Sequence, residues 1–258
     1  MFEAVILGIL QGLTEFIPVS SSAHIILFTW FFRWDDTVNT LGFSVALHLG
    51  TLIALLSYFR NDWLALLKTA NSKDGLIWHI LIGTIPAAVV GFIFHDAIAQ
   101  VRSPLLITFT LSSVAALMIL AERTKDGSRG MGIEKITRKD ALIIGIAQAF
   151  ALVPGVSRAG ITIVAGLMRG FQRQASARFS FLLSTPIVAG AGALEAKRLI
   201  LHNDLNPEIF ITGIIISAVT GYFAIKYLLR FLQNHSLNPF AYYRFLLAFV
   251  IIIIIWLT

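Results

Sequence analysis

An all-α integral membrane protein, with six transmembrane helices plus two re-entrant helical hairpins in an inverted-topology repeat, is the fold this sequence predicts. Three observations carry it: too little charge for a soluble surface, six apolar stretches of membrane-crossing length, and two further apolar stretches each broken by a polar knot. Of the 258 residues, 57% are hydrophobic and only 13% charged, against roughly 25% charged in an average soluble domain. The mean hydropathy is +0.82. A soluble enzyme, a disordered chain and a disulfide-stapled secreted domain are thereby excluded. The sequence has no cysteine, so thiolate metal sites and cysteine nucleophiles are excluded as well.

The elements follow in chain order. The first apolar segment, about 2–31, is no cleavable signal peptide, because it lacks a basic leader and Glu15 and Pro18 interrupt its apolar run. A helix needs about 17–25 residues to cross the hydrocarbon. Segments 41–59, 76–94 and 104–121 meet that need, and a basic loop at 122–140 follows them. A second broken segment covers 141–168, followed by a short span at 179–194 and longer ones at 209–232 and 241–257, the last ending in the Ile251–Ile255 run. The whole chain, 1–258, reads as a single polytopic domain whose halves are about 1–121 and 141–258.

The formal charge of +6 would point to nucleic acid in a soluble protein. In a membrane protein the same excess follows from Lys and Arg accumulating in cytoplasmic loops, so no nucleic-acid partner is expected. Loop 60–75, loop 122–140, stretch 169–178 and the group Lys226, Arg230 and Arg244 together hold fifteen of the twenty basic residues. Placing all four regions in the cytoplasm satisfies six spans only if both broken segments enter and leave on their own side. The first then dips from outside and the second from the cytoplasm.

Internal similarity fits this alternation. Gly8-Ile9-Leu10-Gln11 matches Gly145-Ile146-Ala147-Gln148, and Pro18-Val19-Ser20 corresponds to Pro154-Gly155-Val156-Ser157 with one residue inserted. Thr84-Ile85-Pro86 likewise matches Ser184-Thr185-Pro186. Opposite topology of the two halves makes them inverted repeats, a recurring plan in which broken helices meet near the midplane.

The knots carry the chemistry. Irregular backbone at membrane depth persists only where protein buries it or it lines a wet cavity, and ionisable groups there mark a functional site by default. Glu15, His24 and Arg158 are such groups; a pair of Glu15 and Arg158 that merely pins the hairpins together is the bland reading, but it leaves the hydroxyls around them unexplained. Ser20, Ser21 and Ser22 form a run, with Ser157 beside Arg158. Such turns offer hydroxyls and N–H donors, a helix resuming after them aims its N-terminus at an anion, and arginine offers a planar fork matched to phosphate. Glu15 and His24 are candidate base and acid and a serine a candidate nucleophile, which together point to phosphoryl chemistry on an anionic lipid head. Other polar residues take simpler readings. His48 reads as a satisfied core histidine, His79, His95 and Asp96 as interfacial, the tryptophans as an aromatic belt, and Arg169, Arg173 and Arg178 as inside-positive charge. No metal-binding or Walker-type pattern is present; a divalent cation would arrive bridging the phosphates.

Residues 11–24, Gln-Gly-Leu-Thr-Glu-Phe-Ile-Pro-Val-Ser-Ser-Ser-Ala-His, and residues 154–160, Pro-Gly-Val-Ser-Arg-Ala-Gly, resemble the two signatures of the bacterial undecaprenyl pyrophosphate phosphatase family, the bacitracin-resistance type. Phe179-Ser180-Phe181-Leu182-Leu183 with Pro186, and Pro239-Phe240-Ala241-Tyr242-Tyr243-Arg244-Phe245, are similar to it too, so the resemblance covers nearly the whole chain. It implies six spans plus two re-entrant hairpins. It also implies removal of the terminal phosphate of undecaprenyl diphosphate on the outer face of the bacterial cytoplasmic membrane, which recycles the carrier lipid for peptidoglycan synthesis and confers bacitracin resistance. By motif position the resemblance assigns catalytic roles to Glu15, Ser21, His24 and Arg158, with Glu15 also the metal-facing carboxylate for Mg²⁺ or Ca²⁺. Ser20, Ser22 and Ser157 fall at accessory hydroxyl positions, and Gln11, Gly155 and Gln148 complete the expected substrate-binding set. The sequence departs from the commonest pattern at Gln11, where Glu is frequent, at Ser22-Ala23, where Thr-Gly is usual, and at Ala159, where Ser is usual. The partners expected are a polyprenyl diphosphate lipid and the bilayer, and a homodimer is compatible with the sequence. A polyprenyl-phosphate transporter using the same repeat is the competing class, and a protein that both hydrolyses and returns the lipid is a third.

Overall fold

The computed structural model describes residues 1–32, 34, 41–68, 75–94, 103–124, 130–202 and 206–257. Among them the chain is all helical: α1 (Phe2–Phe16), α2 (Ser21–Phe32), α3 (Leu41–Tyr58), α4 (Arg60–Lys68), α5 (Leu76–Ile93), α6 (Pro104–Thr124), α7 (Arg138–Phe150), α8 (Arg158–Met168), α9 (Arg173–His202), α10 (Pro207–Asn234) and α11 (Asn238–Leu257). Four of these, α5, α6, α10 and α11, are long and apolar enough to cross a membrane, and α3 with α4 makes a fifth, broken candidate bent by 66°. The remaining expected span, 179–194, is the middle of the 30-residue α9. Phe92, Phe109, Phe223 and Trp256 project from these helices largely exposed, as side chains facing lipid do.

Both broken segments are helix–turn–helix pairs, α1–α2 and α7–α8. The pairs have corresponding neighbours: α1 packs along α10 and α7 along α5, while α3 packs on α9 and α6 on α11. Glycines on both first helices explain how close the contacts are. A Cβ on Gly12 would lie 1.9 Å from Thr220 Oγ1, and one on Gly145 only 2.2 Å from the Gly83 carbonyl oxygen, so α7 and α5 meet backbone to backbone. Pro86 and Pro186 both stand inside helices, α5 and α9.

Two expectations change. Loop 60–75 begins with a helix, because Asp62 in the first turn and Lys68 in the last complement the helix dipole around an apolar Leu64-Ala65-Leu66-Leu67 stretch. His79 is buried rather than interfacial. The arginines read as inside-positive charge are in addition ion-paired: Arg169 with Asp140 at 2.7 Å, Arg173 with Glu122 at 2.6 Å, and Arg178 with Asp62. Arg33, Lys73, His95, Asp96, Arg102, Lys125 and Arg129 lie outside the described residues.

These pairs organise one end of the molecule. Thr137 and Asp140 form a capping box that starts α7. Burial alone would raise the Asp140 carboxyl, but hydrogen bonds from Thr137 and Arg169 outweigh it and hold the group below its ordinary value. The cap therefore stabilises at neutral pH and is lost as pH falls through that lowered value. Glu122 accepts from Arg173 and also from the Leu237 backbone N–H at 2.8 Å, joining α6, α9 and the entry to α11. Its side chain is 4% exposed, and breaking a buried pair from one side costs roughly 3–5 kcal/mol. Glu122→Ala is therefore expected to lower the melting temperature in detergent clearly. A thermal scan with an unchanged midpoint would show that the pair contributes nothing.

Candidate active site

The site is built where the two hairpin turns meet. Helix α1 stops because a residue preceding proline disfavours helical backbone, and Ile17, before Pro18, is extended. Phe16 is buried edge-on against Phe181 of α9, with ring centroids 5.4 Å apart, which fixes the end of α1 next to Glu15. Helix α2 restarts at Ser21 behind Ser20, whose φ is +78°. In the second hairpin Ser157, with φ +69°, accepts from the Gly160 N–H at 3.2 Å and starts α8 at Arg158. Left-handed backbone at a non-glycine residue costs about 1–3 kcal/mol. Both instances fall immediately before the second helix of a hairpin.

Arg244 of α11 over-determines this geometry. Its guanidinium is fully buried and donates to Pro18 O in the first turn at 3.3 Å and to Gly155 O and Val156 O in the second at 2.9 and 3.1 Å. It also donates to Leu111 O and Thr110 O of α6 at 3.2 and 3.3 Å. Thr110 Oγ1 adds a bond to Pro154 O at 2.8 Å, and the Gly155 N–H donates to Ser22 Oγ at 3.4 Å. Gly155 has φ +89°, and a Cβ there would meet Thr110 Oγ1 at 2.0 Å, so this turn requires glycine. The charge count had placed Arg244 among cytoplasmic loop residues. The structure corrects that: α11 begins at Asn238, which carries residue 244 into the protein interior.

Glu15 is the centre of the polar network. Its Oε2 accepts from Ser21 Oγ at 2.6 Å and from Gln11 Nε2 at 3.1 Å, and its Oε1 accepts from Arg158 Nη2. The chain thus joins a carboxylate and a serine from the first hairpin to an arginine from the second. These groups border a cavity of about 260 Å³. Ser20, Ser22, Ser157 and Gln148 line it too, with His48 of α3, Ala87 beside Pro86 and Ile187 beside Pro186 closing the walls. The N-termini of α2 and α8 converge there, and such ends attract anions.

Three expected site residues stand behind the cavity rather than on it. Gln11 is fully buried and acts on Glu15, while Gly155 shapes its turn. His24 has both ring nitrogens engaged: Nδ1 donates to Ser20 O at 2.7 Å, and Nε2 pairs with Tyr243 Oη at 2.7 Å. A carbonyl only accepts, so a proton is on Nδ1, and in the neutral ring Nε2 then accepts the tyrosine hydroxyl proton. His24 therefore bears on the site through the strained Ser20. Sequence reasoning passed over His48, Tyr243 and Arg244. The rule that ionisable groups within the membrane are functional would have singled out the histidine and the arginine, and the signal for Tyr243 was its place in the Pro239–Phe245 resemblance.

For a metal, the described residues hold no group of three or more His, Asp or Glu side chains. Glu15 is the single carboxylate on the cavity and already accepts three bonds. This donor set does not fit a protein-built metal cage.

The family model described as bacitracin resistance protein BacA matches residues 4–250. A Thermodesulfovibrio yellowstonii protein named undecaprenyl-diphosphatase is 48% identical, over 98% of this chain and 97% of its own. Proteins of the same name from Geotalea daltonii and Moorella thermoacetica are 47% and 45% identical, over 95% and 100% of this chain and 94% and 98% of theirs.

Proposed function

Because the chain belongs to the bacitracin resistance protein BacA family, we propose that it is an undecaprenyl-diphosphatase, hydrolysing the carrier lipid's diphosphate to the monophosphate and inorganic phosphate. The observation that carries this reading is Ser21 Oγ–H directed at Glu15 Oε2 at 2.6 Å while Arg158 holds the other oxygen. That is a hydroxyl with its base, next to a cation matched to phosphate.

Phosphoryl transfer depends mostly on positioning and charge stabilisation. Ser21 Oγ attacks the terminal phosphorus as its proton passes to Glu15. The bond from that phosphorus to the bridging oxygen breaks, and the lipid monophosphate leaves. Protonation neutralises Glu15 and releases the Arg158 guanidinium to the oxygens of the transferring group, so the cation becomes available when negative charge spreads over them. A water then attacks phosphoserine, phosphate departs, and Glu15 returns its proton to Ser21 Oγ. His24 acts as a positioning residue for Ser20. A divalent cation, Mg²⁺ or Ca²⁺, would arrive with the diphosphate and neutralise part of its charge, and Glu15 is the carboxylate on the cavity that would face it.

The same reading places the protein in the bacterial cytoplasmic membrane as six spans and two re-entrant hairpins in an inverted repeat, with the cavity facing outward. The matching serines of positive φ and the corresponding helix neighbours support the repeat, and the basic loops support the orientation. Outward hydrolysis recycles the lipid for peptidoglycan synthesis and underlies bacitracin resistance. The transport alternative has no use for a serine hydrogen-bonded to a buried carboxylate.

The test is phosphate release from undecaprenyl diphosphate by detergent-purified protein, with and without EDTA. Release by wild type is expected, with a loss in EDTA that added Mg²⁺ or Ca²⁺ restores. Acid-quenched turnover should yield a peptide phosphorylated at Ser21. An active wild type that never labels Ser21 under rapid quench would assign the attack to water instead, and a folded wild type releasing no phosphate would overturn the diphosphatase.

A further inference from the structure

Resting on the diphosphatase reading, we infer that His48 and Gln148 form a second phosphate subsite in the cavity, which holds the lipid-proximal phosphate and restricts the enzyme to diphosphates. The hydroxyls, Glu15 and Arg158 gather around one reacting phosphate. A diphosphate brings a second charged group into the same cavity, and that group needs partners of its own, since a phosphate removed from water without hydrogen bonds is costly.

Two side chains on the cavity wall are unused by the chemistry above. Gln148 of α7 is 1% exposed and lines the cavity, yet neither its Oε1 nor its Nε2 has a hydrogen-bond partner. Leaving a buried amide unpaired costs free energy that natural structures rarely accept without a ligand or water in place. Its two N–H donors suit phosphate oxygens, and its carbonyl suits a phosphate O–H or a bound water. His48 of α3 lines the cavity as well. Its Nδ1 donates to Ser44 O at 2.8 Å, one turn back, which fixes the ring plane and leaves Nε2, on the other side of the ring, without a protein partner among the described residues. Nε2 then meets a phosphate oxygen or a water carried on it.

The two residues come from different helices, one of each half, and neither touches Glu15, Ser21 or Arg158 by any hydrogen bond in the structure. His48 does act electrostatically on Glu15, so what separates the pair from the reacting centre is the comparison of a diphosphate with a monophosphate. A lipid monophosphate, having one phosphate, occupies the Ser21–Arg158 end and gains nothing from them. A diphosphate fills both ends. Holding the leaving phosphate throughout the transfer also fixes the bridging oxygen opposite Ser21 Oγ.

The test uses the full chain in detergent with Ser21→Ala to prevent turnover, and measures equilibrium binding of undecaprenyl diphosphate and undecaprenyl monophosphate. Adding His48→Ala or Gln148→Leu should weaken diphosphate binding about tenfold, the scale of one hydrogen bond to a charged group, and leave monophosphate binding within about twofold. His48→Gln, which keeps a hydrogen-bonding arm, should restore most of the loss and serves also where the alanine variant melts early. Equal weakening for both ligands, or no weakening for either, would overturn the subsite. The reading beneath it is tested separately. Should wild type release no phosphate while the variants still lose diphosphate binding selectively, the diphosphatase falls and a two-phosphate binding site stands. Active wild type with variants that bind both lipids normally would give the reverse.

Discussion

Replacing Arg158 with alanine is expected to lower kcat by roughly 10²–10³-fold, the scale on which a preorganised electrostatic contact to a transition state acts. KM should change much less. The guanidinium spends the resting state on Glu15 and turns to the phosphoryl oxygens only as Glu15 takes the serine proton, so its contribution is made in the transition state and falls on kcat. Arg158→Lys should recover a minor part, because a point charge replaces a planar fork. Removing the arginine also strips Glu15 of its counter-charge, so melting temperature must be read beside the rate. A folded Arg158→Ala protein with near-normal turnover would remove the arginine from the mechanism.

Arg244→Ala should have the largest structural effect of any single substitution. The guanidinium satisfies five carbonyls, and a buried acceptor that loses its partner costs about 1–3 kcal/mol. Even with partial relaxation and entering water, the summed loss approaches the total stability of about 5–15 kcal/mol typical of a domain. A steep fall in melting temperature is expected, with activity abolished at temperatures where the fold persists, because the serines of positive φ lose what holds them. Millimolar guanidinium should restore part of that activity, while methylammonium, of the same charge without the fork, should not. Wild-type melting and turnover in Arg244→Ala would mean that the turns hold their shape unaided.

The sequence told more about composition-driven features than about contacts. Span lengths, the two broken segments and their polar knots were legible because hydropathy and proline act locally. Glu15, Ser21 and Arg158 were legible because charge and hydroxyls at membrane depth are rare enough to mean something. The Ser21–Glu15 bond and the position of His24 behind Ser20 were not, since both depend on the backbone path of the turn between α1 and α2, with its positive φ at Ser20. His48 shows the limit most clearly. One histidine in an apolar span reads as packing, and only the position of α3 beside the hairpin turns brings it to the cavity. Arg244 misled for a related reason, because a basic residue near a span end usually belongs to a loop, whereas here a helix begun at Asn238 takes it inward.

Arg244 also sets an order in time. It follows Pro18 by 226 positions and Gly155 by 89, so a ribosome adding about 5–20 residues per second exposes both turns seconds to tens of seconds before their shared donor exists. Until then each hairpin carries its signature motif without the joint that makes it a site. A chain interrupted before α11 would contain Glu15, Ser21 and Arg158 and is expected to release no phosphate from the lipid. The two turns are joined only once α11 has been made.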